Sequence, residues 1–132
     1  MFEGLKFISS SPQTSKLINI PSGVEVKGDF KGTDVDFRID GEITGRLNMK
    51  VGKIVIGESG KIDGNINCST ITIYGTINGN IVGLDRVQVM STGKVNGNII
   101  ANEINIISGG GVSGYTKLLK DVSQEQLIKL HL

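Results

Sequence analysis

A short repeated phrase constrains the fold of this chain more than any other feature. The phrase has the form Gly-x-Ile/Val-x-Gly-Asn-Ile and occurs almost unchanged at residues 60–66, 75–81 and 93–99. Weaker copies begin at Val24, Gly41 and Gly110. From Gly28 to Gly114, the second glycine of each copy recurs after about 17 residues on average. A regular period of this length is typical of a chain built from stacked structural repeats.

Between the copies, apolar residues alternate with polar ones, as in Thr70-Ile71-Thr72-Ile73. A period of two residues predicts a β-strand with one buried face, and helical spacing is absent from this region. The inward positions recur along the chain with steps of 16 or 17 residues, in a series that we align as Ile20, Phe37, Ile54, Ile71, Val87 and Ile104. Equivalent strands are therefore expected to lie directly above one another.

These patterns predict an all-β fold, a single short parallel β-helix of about six coils. We assign residues 17–116 to this domain, with recognisable coils from roughly Ile18 to Tyr115. The uneven spacing of the glycines breaks a strict six-residue count and indicates the right-handed form. The alternative fold is an antiparallel sandwich with the glycines in hairpins, but such a fold does not require matching copies.

Composition limits the partners and the cellular location that can be expected for this chain. The chain has 132 residues, a length that suits one domain. Its net charge is only +1, so it lacks the strong positive field of most nucleic-acid-binding proteins. We therefore expect no nucleic-acid partner. The single Cys68 allows no internal disulfide, and the first residues do not resemble a secretory signal. Both features predict a cytoplasmic location.

Residues for catalysis are scarce. Coiled acyltransferases need a histidine base and coiled carbonic anhydrases need three histidine ligands, whereas this chain has only His131, near its C-terminus. The pairs Gly60-Lys61 and Gly93-Lys94 lack the hydroxyl residue that follows lysine in a phosphate-binding loop. We predict no enzyme activity, no catalytic, cofactor-binding or metal-binding residues, and no nucleotide. A small β-helix enzyme, such as a hexapeptide-type acyltransferase, and a β-helix adaptor that does not polymerise are the alternatives.

The repeat, together with Phe-Arg-Ile-Asp-Gly at 37–41 and Ile-Val-Ile-Gly at 54–57, resembles the bactofilins, a family of bacterial cytoskeletal proteins. The resemblance covers roughly residues 18–116. It implies a right-handed β-helix that stacks end to end into filaments without nucleotide. It also implies attachment to the inner face of the cell membrane and a scaffolding role for the proteins that build the cell wall or set cell shape.

The two ends of a β-helix are the natural contacts for such a polymer. Each terminal coil presents unpaired strand edges above an apolar column, and proteins normally cover such edges. Another copy of the chain is therefore the expected partner. We predict that Ile18 and Ile20 in the first coil, and Val112 and Tyr115 in the last, form the polymer interface.

Residues 1–16 are expected to form a flexible tail with a possible membrane-targeting segment. Apolar side chains can enter the lipid interface while a lysine meets anionic head groups. The residues of this segment are Met1, Phe2, Leu5, Lys6, Phe7 and Ile8. The start of the chain also resembles the membrane-targeting start of some bactofilins. A disordered tail, or a flap over the first coil, is the alternative.

Residues 117–132 depart from the strand pattern. Apolar residues recur there at helical spacing, namely Leu118, Leu119, Val122, Leu127 and Leu130. Ser123 and Gln126 have the spacing of a capping box. We predict a short amphipathic C-terminal helix that covers or regulates one end of the β-helix.

Overall fold

The alternating segments form short strands because β-branched side chains fit a pleated surface with one buried face. The structure, a computed structural model, describes residues 16–49 and 52–121. Its strands are β1 Lys16–Ile20, β2 Glu25–Lys27, β3 Phe30–Gly32, β4 Val35–Ile39, β5 Glu42–Thr44, β6 Leu47–Met49, β7 Lys53–Ile56, β8 Lys61–Asp63, β9 Ile66–Ile73, β10 Thr76–Asn78, β11 Ile81–Val89, β12 Lys94–Asn96, β13 Ile99–Ile106, β14 Gly111–Val112 and β15 Thr116–Leu118. A 3₁₀ turn follows at Leu119–Asp121.

Strands from successive coils pair in parallel and form two long sheets. One sheet has the order β15-β13-β11-β9-β7-β4-β1, with β3 paired to β6 and β6 to β9. The other has six strands in the order β14-β12-β10-β8-β5-β2. The predicted all-β fold, a parallel β-solenoid of about six turns, is confirmed. The antiparallel alternative is wrong, because every strand pair in the described part of the chain is parallel. The right-handed sense stays a prediction.

The register corrects one step of the series aligned from the sequence. Phe37 pairs with Ile18, and Ile20 pairs with Ile39, so our alignment of Ile20 with Phe37 was wrong by two residues. From Phe37 onward the pairing follows the series, beginning with Ile54. The first coil is longer because it contains both the four-residue corner 21–24 and the two-residue link 33–34. Each later coil lacks one of these insertions or has a shorter one.

Inward side chains of the strands form one continuous apolar core. In the described residues, every fully buried large side chain is apolar, and no charged or polar residue is buried. The largest are Phe37, Ile39, Ile43, Leu47, Ile54, Ile56, Ile62, Ile66, Ile71, Ile73, Ile77 and Ile81. Cys68 belongs to this core, and burial raises the pKa of its thiol to about 12.

The second glycine of the repeated phrase turns a corner that no other residue fits. Five of these six glycines, from Gly28 to Gly97, have positive φ, and at Gly79 the angle is +152°. A Cβ atom at Gly79 would lie 2.0 Å from the carbonyl oxygen of Gly64 in the preceding coil. From Gly45 to Gly114 the coils approach too closely at this corner for any side chain, whereas Gly28 in the first copy has open space and is favoured there by its φ angle of +140°.

Polar side chains at the same corner bond from coil to coil. The backbone N–H of Asn80 donates to Oδ1 of Asn65 at 3.0 Å, and the N–H of Asn98 donates to Oδ1 of Asn80 at the same distance. On the other side of the glycine, Asn78 Nδ2 donates to Asp63 Oδ1 at 2.7 Å. These ladders satisfy the corner groups and hold the coils in register.

The start of the predicted C-terminal helix differs from the expectation. Leu118 ends strand β15, and Leu119 lies in the 3₁₀ turn, so neither residue is in an α-helix. Parallel pairing of β15 with β13 extends the solenoid by one more strand, so any α-helix can begin only after Leu118. Val122, Ser123, Gln126, Leu127 and Leu130 lie outside the described residues, and a helix there stays a prediction.

Candidate assembly surface

At the N-terminal end, the apolar column of the solenoid reaches the surface. Three inward residues of the first coil, Ile18, Val26 and Phe30, are only half-buried against the core. Their partners one coil further on are almost fully buried, as Val26 pairs with Ile43 and Phe30 with Leu47. These three side chains are half-exposed because, in the described part of the chain, no strand lies below them.

An aromatic contact stiffens this end. The ring of Phe30 lies 5.3 Å from the ring of Phe37, centroid to centroid, in an edge-to-face arrangement at 87°. Aromatic pairs in this geometry contribute about 0.5–1.5 kcal/mol beyond the burial of their area. The ring of Phe30 at this end is therefore held against the core by its contact with the buried Phe37.

The C-terminal end presents a second apolar surface. Ile104 in β13 and Val112 in β14 are half-buried against the core, and Ile106 is 46% exposed. Only Ile99–Ala101 of β13 pairs with β15, so within residues 52–121 the second half of β13 has no partner strand beyond it. An open groove lies beside it, lined by Ile104, Ile106, Thr116, Lys117 and Leu118. This end combines apolar side chains with an open strand edge.

The structure places three of the four predicted interface residues in the terminal coils as inward residues. Ile18 and Val112 are half-buried there, whereas Ile20 is only 8% exposed and belongs to the core. Tyr115 differs, because it lies at an exposed corner. Its N–H donates to Asn98 Oδ1 at 3.1 Å, and its ring centroid lies 5.1 Å from Lys117 Nζ. An interface role for all four stays a prediction.

Sequence reasoning missed other residues of the end surfaces, namely Val26, Phe30, Ile104 and Ile106. The signal for Phe30 was available, because it occupies the last position of its copy, as Ile66 does in the phrase at 60–66. The first and last strands alone do not identify these residues, because an end surface includes the inward residues of every strand in its terminal coil.

The sides of the rod are mainly polar. Arg86 pairs with Glu103 in the next coil, with Nε and Oε2 3.3 Å apart. A hydrogen bond from Asn105 and the charge of Arg86 lower the pKa of the Glu103 carboxyl. Within one coil, Arg38 pairs with Asp40, with Nε and Oδ2 3.1 Å apart. These solvated side faces contrast with the apolar ends.

Neither end of the described solenoid offers a metal site or a membrane span. No group of three or more His, Cys, Asp or Glu side chains comes together in residues 16–49 and 52–121. Among the same residues, no helix is long and apolar enough to cross a membrane. The predicted membrane-targeting residues Met1, Phe2, Leu5, Lys6, Phe7 and Ile8 lie outside the described ranges.

Comparison with known proteins assigns this arrangement to a family. A family model described as "Bactofilin: Polymer-forming cytoskeletal" matches residues 18–117, which span the solenoid from β1 to β15. The chain belongs to the bactofilin family. This bactofilin is 33% identical over 95 residues to Bactofilin BacO of Myxococcus xanthus (strain DK1622), covering 72% of this chain and 74% of BacO. No solved structure matches the chain.

Family membership confirms the resemblance found in the repeated phrase. This bactofilin is a polymer-forming cytoskeletal protein with a parallel β-solenoid fold. A self-associating structural role accords with end surfaces that offer apolar side chains and strand edges rather than catalytic groups.

Proposed function

We propose that this bactofilin assembles end to end, through its first and last coils, into filaments that need no nucleotide. The observation that carries the proposal is the position of the half-buried apolar residues that pack against the core. All of them belong to the terminal coils, namely Ile18, Val26 and Phe30 at one end and Ile104 and Val112 at the other. The apolar column runs through the rod and is open at both ends of the described solenoid.

The area of the ends indicates what must hold them together. A coil of about 17 residues at about 3.3 Å per residue has a perimeter near 56 Å, and a triangle of that perimeter has an area of about 150 Å². A standard interface buries about 800 Å² per partner. The apolar contact area at one end is thus too small to hold two copies together by itself. Backbone hydrogen bonds between the strand edges of the two copies supply the remaining binding energy.

Nucleotide independence is supported by the backbone at the two Gly-Lys pairs. A phosphate-binding loop needs free N–H groups that point at the phosphate. Here the N–H of Gly60 donates to the Gly57 carbonyl, and the N–H of Lys61 donates to the Gly41 carbonyl. The N–H groups of Gly93 and Lys94 are bonded in the same way, to Met90 and Gly75. These amides already hold the corners and coils together.

We extend the proposal to a membrane surface in the cytoplasm, where residues 1–8 attach the filament and the filament organises proteins that set cell shape or build the cell wall. A single short segment with one lysine binds lipid weakly, but many copies on one filament bind by avidity. The role is structural rather than enzymatic, in keeping with the cytoskeletal family.

The proposal is tested by sedimentation and negative-stain electron microscopy of the purified chain in buffer without nucleotide or divalent metal. We expect filaments in the pellet, and no change when nucleotide and magnesium are added. A profile that remains monomeric at every protein concentration, with or without nucleotide, would contradict end-to-end assembly. Filaments that form only after nucleotide is added would contradict nucleotide independence.

A further inference from the structure

Two apolar side chains on the outside of the solenoid are almost completely buried. In β11 and β13, Ile81 and Ile99 point into the core, so their neighbours Val82 and Ile100 point to the outer face. Even so, Val82 is 2% exposed and Ile100 is 1% exposed. Neither residue belongs to the core cluster. Outward side chains can be this inaccessible only where something lies over the sheet.

The sheet itself does not explain this burial. Val55 is another outward valine in the middle of the rod, and it is only half-buried. The nearest bulge, at Leu84, cannot act as a lid because Leu84 is itself 53% exposed. The burial of Val82 and Ile100 therefore requires a separate cover.

The outward column that contains these two residues changes character along the rod. Its members, in order of pairing from the first coil to the last, are Lys31, Asn48, Asn67, Val82, Ile100 and Lys117. Only the fourth and fifth members are apolar. Any cover is therefore restricted to the C-terminal part of this face.

The path of the chain brings its own C-terminal segment to this place. Strand β15 lies beside β13 on the same face, with Lys117 paired to Ile100. The turn Leu119–Asp121 then packs against β13 rather than continuing around the coil. The described chain thus ends beside β13, one coil away from Ile100.

The length of the remaining chain matches the apolar patch. Residues 122–132, as a helix with a rise of about 1.5 Å per residue, would extend about 16 Å. Coils are spaced at about 4.8 Å, so this length spans about three coils. A helix that starts beside the last coil would pass over Ile100 and Val82 and end near Asn67, where the column becomes polar. The segment carries Val122, Leu127 and Leu130 as apolar residues.

We propose that residues 122–132 pack along the outer face of β11 and β13 and cover Val82 and Ile100. The C-terminal segment then lies on the side of the rod, in contrast to our sequence-based expectation that it covers one end. It shields the apolar patch on the side of the rod, so that filaments meet through their ends and not through this face.

The test measures the reactivity of single cysteines with a water-soluble thiol reagent. Val82→Cys and Ile100→Cys are the probes, and Leu84→Cys is the exposed control. The native Cys68 does not interfere because it is 1% exposed and burial raises its thiol pKa to about 12. Each probe is compared in the full chain and in a chain that ends at Asp121.

In the full chain we expect Val82→Cys and Ile100→Cys to react at least about tenfold more slowly than Leu84→Cys, because a covered thiol reacts only after local opening. In the chain that ends at Asp121, both probes should react as fast as the control. Leu130→Asp should also release the protection, whereas Gln124→Asp, which adds the same charge to a polar position of the segment, should preserve it.

Three results would overturn the proposal. Fast reaction of both probes in the full chain would mean that nothing covers this face. Protection that persists without residues 122–132 but is lost on deletion of residues 1–15 would assign the cover to the N-terminal tail. Protection that is lost in the full-length, assembly-blocked variant Val112→Asp would assign it to a second copy. Each result leaves end-to-end assembly itself to be judged separately by sedimentation.

Discussion

The substitution Gly79→Ala tests the close approach of the coils at the glycine corner. The new Cβ atom would lie 2.0 Å from the carbonyl oxygen and 2.6 Å from the carbonyl carbon of Gly64. The φ angle of +152° is also one that residues with a side chain rarely adopt. The neighbouring coils would therefore have to separate at this corner while the backbone stays strained.

The cost can be estimated from the bonds that cross the corner. Separation lengthens the bonds from Gly64 N to Asn78 O, from Ile66 N to Asn80 O and from Asn80 N to Asn65 Oδ1. Loss of two such bonds costs about 1–3 kcal/mol. A strained φ angle adds about 1–3 kcal/mol. We expect Gly79→Ala to lower the free energy of unfolding by about 2–6 kcal/mol, a large fraction of the stability of a small domain.

Substitutions at two other glycines distinguish the cost of backbone strain from the cost of the steric clash. Gly28 has φ of +140°, but a Cβ atom there would meet nothing within 4 Å, so Gly28→Ala should cost only the strain of about 1–3 kcal/mol. Gly111 has an ordinary φ angle and equally open space, so Gly111→Ala should change stability by less than about 0.5 kcal/mol.

Urea unfolding followed by circular dichroism measures all three variants, at protein concentrations too low for light scattering by filaments. The predicted order of stability loss is Gly79→Ala, then Gly28→Ala, then Gly111→Ala. If Gly79→Ala loses no more stability than Gly28→Ala, the coils are not held as closely as described and the reasoning is refuted.

Three further predictions concern the polar ladder, the buried thiol and the N-terminal segment. Asn78→Asp removes the 2.7 Å bond to Asp63 and places two carboxylates together, so it should cost about 1–3 kcal/mol in urea unfolding. The exposed control Asn48→Asp should cost under about 0.5 kcal/mol, and equal losses would argue against the ladder. Burial raises the pKa of the Cys68 thiol from 9.0 to about 12, so the folded state keeps a proton that the unfolded state loses. The free energy of unfolding should therefore fall more steeply between pH 9.0 and about pH 12 in the native chain than in Cys68→Ala, and identical slopes would contradict burial of the thiol. Deletion of residues 1–8, or Phe2→Asp, should abolish co-sedimentation with anionic liposomes while filaments persist, and Phe2→Leu should retain binding. Equal lipid binding by the truncated polymer would assign another role to the segment.

The repeat predicted the fold well because each copy contains residues that define both a corner and a strand. Glycines such as Gly79 mark a corner where only glycine fits, and alternation such as Thr70 to Ile73 marks a strand with one buried face. The register of the first coil was missed, since corner length varies between coils and the alternation does not count the residues in a corner. The pairing of Ile18 with Phe37 became clear only from the backbone hydrogen bonds.

The ends and the side patch were harder to predict, because they depend on which residues lack a neighbour. The repeat pattern predicts that Phe30 is an ordinary core residue of its copy. Phe30 is half-exposed only because its coil is the first one described. Ile81-Val82 and Ile99-Ile100 break the alternation with an extra apolar residue. That signal was present in the sequence, but its meaning depends on what lies over the outer face.

End-to-end stacking is tested most directly by charges placed on and beside the open column. Ile18→Asp and Val112→Asp place a carboxylate on the inward face of a terminal coil, and burial of an unpaired charge costs several kcal/mol. Asn19→Asp and Ser113→Asp place the same charge one residue away, on exposed positions of the same coils. Light scattering and circular dichroism are measured on all four. We predict folded protein throughout, with assembly lost in the two inward variants and retained in the two outward ones. Normal filaments from both inward variants would contradict assembly through the ends and show that subunits associate through their sides.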